Sequence, residues 1–134
     1  MAATLTAYIP NSKITVVKTT EVVPFGFIDT TSYLTRIDVM EVPPPPREAN
    51  LTLGSGFIVG QLKKIKLVKL ANSPFFSISA VVTSQHFLDG PDQTIVFSKV
   101  GDTAELMWTR NGWRIISTSN FVGDDTTPEI SSLN

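Results

Sequence analysis

Residues 101–117, reading GDTAELMWTRNGWRIIS, constrain the fold more than any other stretch. Ala104, Leu106 and Trp108 alternate with Thr103, Glu105 and Met107, the two-residue period of a strand. Asn111-Gly112 follows, a pair suited to a two-residue hairpin turn in which both central residues take positive φ. With these two as the loop, Arg110 is predicted to pair with Trp113, Thr109 with Arg114 and Trp108 with Ile115. Both tryptophans of the chain then lie in one hairpin. They share a face with Ile115, and that face is expected to be core or a subunit interface.

The rest of the chain keeps this rhythm. Val, Ile, Thr, Ser and Phe dominate the apolar and small-polar positions, and nine prolines and eight glycines break the chain at short intervals. Helix signals are poor, so strands are favoured. The expected fold is all-β: a single compact antiparallel sandwich, jelly-roll-like, or a small barrel, of about seven to nine short strands. One domain is expected from the 134 residues. It divides into N-terminal strands with a proline-rich connector (1–50), a central module (51–118) and an extended tail (119–134).

Residues 13–23, KITVVKTTEVV, read as one or two strands closed by a turn at Pro24-Phe25-Gly26. Phe25 and Phe27 flank Gly26 and are candidates for the core or for an exposed hook on a neighbour. Core is the expected place, because buried aromatics dominate core energetics. In residues 33–42, Tyr33, Thr35, Ile37 and Val39 fall on one face of a strand. Four consecutive prolines (43–46) cannot pair in a sheet and read as a stiff connector.

Gly54-Ser55-Gly56 is a tight turn without the Lys-Ser/Thr of a phosphate loop. In residues 62–70, LKKIKLVKL, Ile65 and Leu67 point one way and Lys64, Lys66 and Val68 the other. Lys64 and Lys66 are therefore candidates for contact with an acidic partner, or for a solvated face guarding a sheet edge. No aromatic residues are interleaved to stack bases, which argues against nucleic acid. FFSISAVV (75–82) is the most hydrophobic strand candidate. His86, the one histidine, lies in a loop with Asp89 and Asp92 and lacks a visible nucleophile or metal-ligand set. Asp102 fits an Asx turn after Gly101 better than a calcium site. Trp108 and Trp113 resemble a sugar-binding pair only superficially; on one apolar face they fit the core. Arg110 and Arg114 flank Trp113 and could stack on an aromatic ring. From Phe121 onward the pattern fails, as in a frayed terminus or an arm that orders on a neighbour.

The totals narrow the function. Net charge is -1 and charged residues make up 17%, so the electrostatics favour neither nucleic acid nor membrane binding. The low charge suggests surface covered by other protein. No cysteine is present, which excludes disulfides and thiol chemistry. No signal peptide or membrane span is expected.

Residues 51–117 also carry a resemblance. A short strand ends at a glycine turn and leads to Gly60-Gln61, then a strand alternating Lys and aliphatic residues (Lys64, Ile65), then Gly101-Asp102, Leu106-x-Trp108 and Gly112-Trp113. This order resembles a module of viral fibre, spike and capsid-associated proteins. The resemblance implies a non-enzymatic, β-rich virion component without a cofactor or metal. It also implies a homo-oligomer, with a trimer as the expected state. Its partners would be capsid proteins of the same virion. The alternative is a head domain that binds a host glycan or receptor, which requires Trp113, Arg110 and Arg114 to be exposed. Exposed Trp113 would mean ligand recognition; buried aromatics would mean scaffold.

Overall fold

The computed structural model describes residues 5–8, 15–18, 20–90, 92–120 and 129–132. Twelve strands occur among them: β1 (Leu5–Tyr8), β2 (Thr15–Lys18), β3 (Thr20–Val23), β4 (Gly26–Ile28), β5 (Leu34–Val39), β6 (Glu48–Leu53), β7 (Leu62–Leu70), β8 (Ser79–Thr83), β9 (Gln93–Phe97), β10 (Asp102–Thr109), β11 (Gly112–Asn120) and β12 (Glu129–Ser132). They form two five-stranded sheets and a separate β1–β2 hairpin. The first sheet has the order β11-β10-β7-β5-β3, the second β12-β9-β8-β6-β4. The fold is an all-β sandwich, and neither sheet closes into a barrel.

The winding differs from the antiparallel, jelly-roll-like arrangement expected. From β3 to β8 the chain alternates between the sheets, so β3, β5 and β7 are parallel neighbours, as are β4, β6 and β8. Parallel neighbours need a crossover, and here each crossover is itself a strand of the opposite sheet. Within the two five-stranded sheets, antiparallel pairing enters only with the later strands, β10 on β7, β11 on β10, β9 on β8 and β12 on β9. β12 places part of the expected tail at the edge of the second sheet, paired with β9 of its own chain.

One core lies between the sheets. Ile37, Ile65, Leu67 and Leu106 of the first sheet are fully buried against Leu51, Val82, Ile95 and Phe97 of the second. Alternation explains the selection: in β7, Lys63, Ile65 and Leu67 are buried while Lys64, Lys66 and Val68 are half-buried on the outer side. Burial of each such aliphatic side chain contributes about 1.5–3 kcal/mol. The reading of residues 75–82 as one strand fails at its start. Phe75 and Phe76 precede β8 rather than forming it, and both are exposed; Arg47 lies over the Phe76 ring at 3.8 Å.

The tryptophan hairpin forms with a shifted register. Thr109 pairs with Gly112, Trp108 with Trp113 and Leu106 with Ile115, so the two-residue turn is Arg110-Asn111. Asn111 has no positive φ, whereas Gly112 has φ 139°. Gly112 is needed as the first residue of the return strand, because a Cβ there would lie 2.4 Å from the His86 carbonyl oxygen. A β-bulge between Glu105 and Leu106 takes up the extra residue.

Candidate interaction surface

Of the eight residues marked by sequence, Trp113 is not on the surface and Trp108 is only partly so. Trp113 is fully buried. Its Nε1–H donates to the Gly54 carbonyl at 2.7 Å, which satisfies the indole in the core. Its ring meets that of Trp108 edge-to-face at 5.2 Å. Trp108 is half-buried and meets His86 at 6.2 Å. The backbone fixes this cluster from both sides. Trp113 N–H donates to His86 O and Leu88 N–H donates to Trp113 O, while Trp108 and the 60–61 segment exchange bonds of 2.8 Å. Gly56 is packed against the Trp108 ring, where a Cβ would approach within 2.3 Å. Trp113 thus lies in the core and offers no platform for a sugar. Arg110 and Arg114 are exposed, but on a hairpin whose aromatic face points inward.

The lysine strand holds a group that sequence reasoning passed over. Lys63 is fully buried, and its Nζ donates to the carbonyls of Asp29 (2.7 Å) and Ser32 (2.8 Å). Glu21 Oε1 lies 3.8 Å away. The same oxygen accepts from Asp29 N–H at 2.8 Å and from the Thr35 hydroxyl at 2.5 Å. Asp29 in turn accepts from Thr31 N–H, Thr31 Oγ1 and Ser32 Oγ. Burial pushes the Lys63 ammonium down to about 8, against the opposing pull of Glu21 and Asp29. Partial burial pushes Asp29 up, yet bonds from Thr31 and Ser32 and the Lys63 charge hold it below the usual carboxylate range. This network binds the 29–32 turn to β3, β5 and β7. Its sequence signal was parity: Lys63 shares the side of Ile65 and Leu67.

Lys64 and Lys66 do reach the outer face of the first sheet. Arg36 of β5 lies beside Lys66, and Lys64 lies between Leu34 and Glu105. Lys69 has Asp38 as its neighbour. The strip is therefore cationic but interrupted by carboxylates, which suits an acidic protein surface better than a phosphate backbone. Arg36 escaped the sequence reading because a strand pattern does not say which strand lies beside it.

Phe25 and Phe27 correct the expectation of core. Phe25 is 70% and Phe27 84% exposed. Phe25 sits in the turn between β3 and β4, and the one-residue step from Ile28, which is buried, turns Phe27 outward. Val22, 57% exposed, faces outward beside Arg36. These three apolar residues occupy the edge strands of both sheets and the turn joining them. Val23 and Ile28 face the core, so Val22 and Phe27 lie on the outer faces of opposite sheets, with Phe25 at the turn between them.

Compared with known proteins, the chain matches no protein-family model and no curated protein.

Proposed function

We propose that this chain is a virion structural protein, a minor capsid, cement or spike-fibre component that acts by contact rather than catalysis. Copies associate with one another and with capsid proteins of the same particle. The observation that carries this reading is the exposure of Val22, Phe25 and Phe27 along the β3–β4 side of the sandwich, in a chain whose tryptophans both pack in or against the core. Burial of two aromatic side chains and a valine is of the kind that anchors an interface. The outer strip of Arg36, Lys64 and Lys66 supplies steering toward an acidic surface. The glycan- or receptor-binding alternative loses its central residue, because Trp113 is buried.

The test is biochemical. Purified particles of the source virus are expected to contain the chain in a fixed ratio to the major capsid protein. Recombinant protein is expected to rebind particles depleted of it, and Phe25→Ser/Phe27→Ser to lose that binding at least tenfold while keeping its fold. Absence of the chain from purified particles overturns the reading.

A further inference from the structure

We infer that the β2 strand of one copy pairs with the β3 edge of a second copy, and that the two exchange these strands reciprocally about a two-fold axis. The inference rests on the proposed self-association and names the surface through which it occurs. β3 pairs only with β5 among the described strands, so among the described residues its other edge is the open end of the sheet. Natural sheets guard such edges with lysine, proline or bulges. β3 reads Thr-Glu-Val-Val. Its one charged residue, Glu21, is drawn toward Lys63 rather than posted on the edge. The opposite edge of the same sheet is treated differently, since residues 86–88 bond to Trp113 at the start of β11.

The occupant follows from the chain. β2 pairs only with β1 among the described strands, and a two-stranded hairpin is marginal by itself in water. A single residue, Thr19, separates Lys18 from Thr20. Antiparallel neighbours need a loop of about two residues or more, so β2 cannot fold back onto the β3 of its own copy. It can reach the β3 of another. β2 and β3 are each four residues long, so one antiparallel register pairs them with no overhang. It sets Thr15 opposite Val23, Val16 opposite Val22, Val17 opposite Glu21 and Lys18 opposite Thr20. The same register run from the second copy gives the reciprocal pairing, and the interface closes with two copies.

Two measurements on the full chain test this. Light scattering across a concentration series is expected to give twice the 14.6 kDa chain mass. The chain has no cysteine, so cross-linking has no native background. Val16→Cys/Val22→Cys is expected to form a reducible covalent dimer on mild oxidation. Either single substitution, and Val17→Cys/Val22→Cys one residue out of register, is expected to give at most a tenth of that yield. Val16→Pro, which removes a donor from β2, is expected to weaken dimerisation at least tenfold with an unchanged near-ultraviolet spectrum. A trimer overturns the two-fold exchange, as does a dimer without the Val16–Val22 link; either leaves the virion role standing. A monomer at every concentration overturns the exchange, and order gained only on particles would then assign the β3 edge to a capsid strand.

Discussion

Lys63 shows what a single buried charge does in this core. Its ammonium is out of water, and two carbonyls and one carboxylate replace the lost hydration. Below about pH 8 the folded protein carries the cost of that charge. Between pH 8 and 10.5 the folded state gives up the proton before the unfolded chain does, so this residue's contribution to stability rises with pH. The gain between pH 8 and 10 is about 2 kcal/mol, from the size of the shift. Tyr33 acts in the opposite sense at higher pH: burial and the Glu105 charge raise it, so its contribution is lost as pH climbs past 10. Urea unfolding at pH 8 and pH 10 is therefore expected to show the rise in wild type and to lack it in Lys63→Met. At pH 7 the same substitution leaves the Asp29 and Ser32 carbonyls without their donor and is expected to cost about 2 kcal/mol. A wild-type curve no steeper than that of Lys63→Met would show that the lysine does not titrate in this window.

Among the elements, the β10–β11 hairpin depends on the glycine at its return. Gly112 combines a φ of 139° with a backbone contact on His86 O that leaves no space for a methyl group. Gly112→Ala is expected to destabilise the fold by about 2–4 kcal/mol, whereas Asn111→Ala, in the exposed turn, is expected to change it by less than about 0.5 kcal/mol. Equal effects at the two positions would restore the Asn-Gly turn that the sequence suggests. The comparison also shows what could be read in advance. The hairpin, the inward face of its tryptophans and the β7 alternation are all set by neighbours in sequence, whereas Asp102, expected to make an Asx turn, instead accepts from the backbone N–H groups of Ser98 and Lys99 before it. The turn was displaced by one residue, and each pairing partner by two, because the steric demand on Gly112 comes from residue 86, which no local pattern reveals. Phe25 and Phe27 were misplaced for a related reason. Phe27 lies on an edge strand and Phe25 in the turn before it, and a hydrophobic pattern records apolar character without recording whether a further strand covers it. The parallel order of β3 to β8 was illegible, since alternation identifies a strand and a face but not its partner.

For the whole molecule, the winding has an energetic consequence. Each pass from β3 to β8 contributes a strand to both sheets, and the core side chains of the two sheets form one cluster. Neither sheet can detach without stripping the apolar face of the other, so the sandwich is expected to unfold as one cooperative unit. Both tryptophans belong to the first sheet, which makes their fluorescence a local probe of that layer. Val82 is fully buried in the second sheet, remote in sequence from either indole. Val82→Ala removes two methyl groups from the shared core and is expected to cost about 2 kcal/mol. If the sheets are one unit, the tryptophan fluorescence transition and the far-ultraviolet transition coincide in wild type, and Val82→Ala moves both to lower urea by the same amount without changing their slope. If the fluorescence transition stays in place while the far-ultraviolet signal shifts, the sheets unfold separately. Interlocking by alternate winding would then not be what holds the sandwich together.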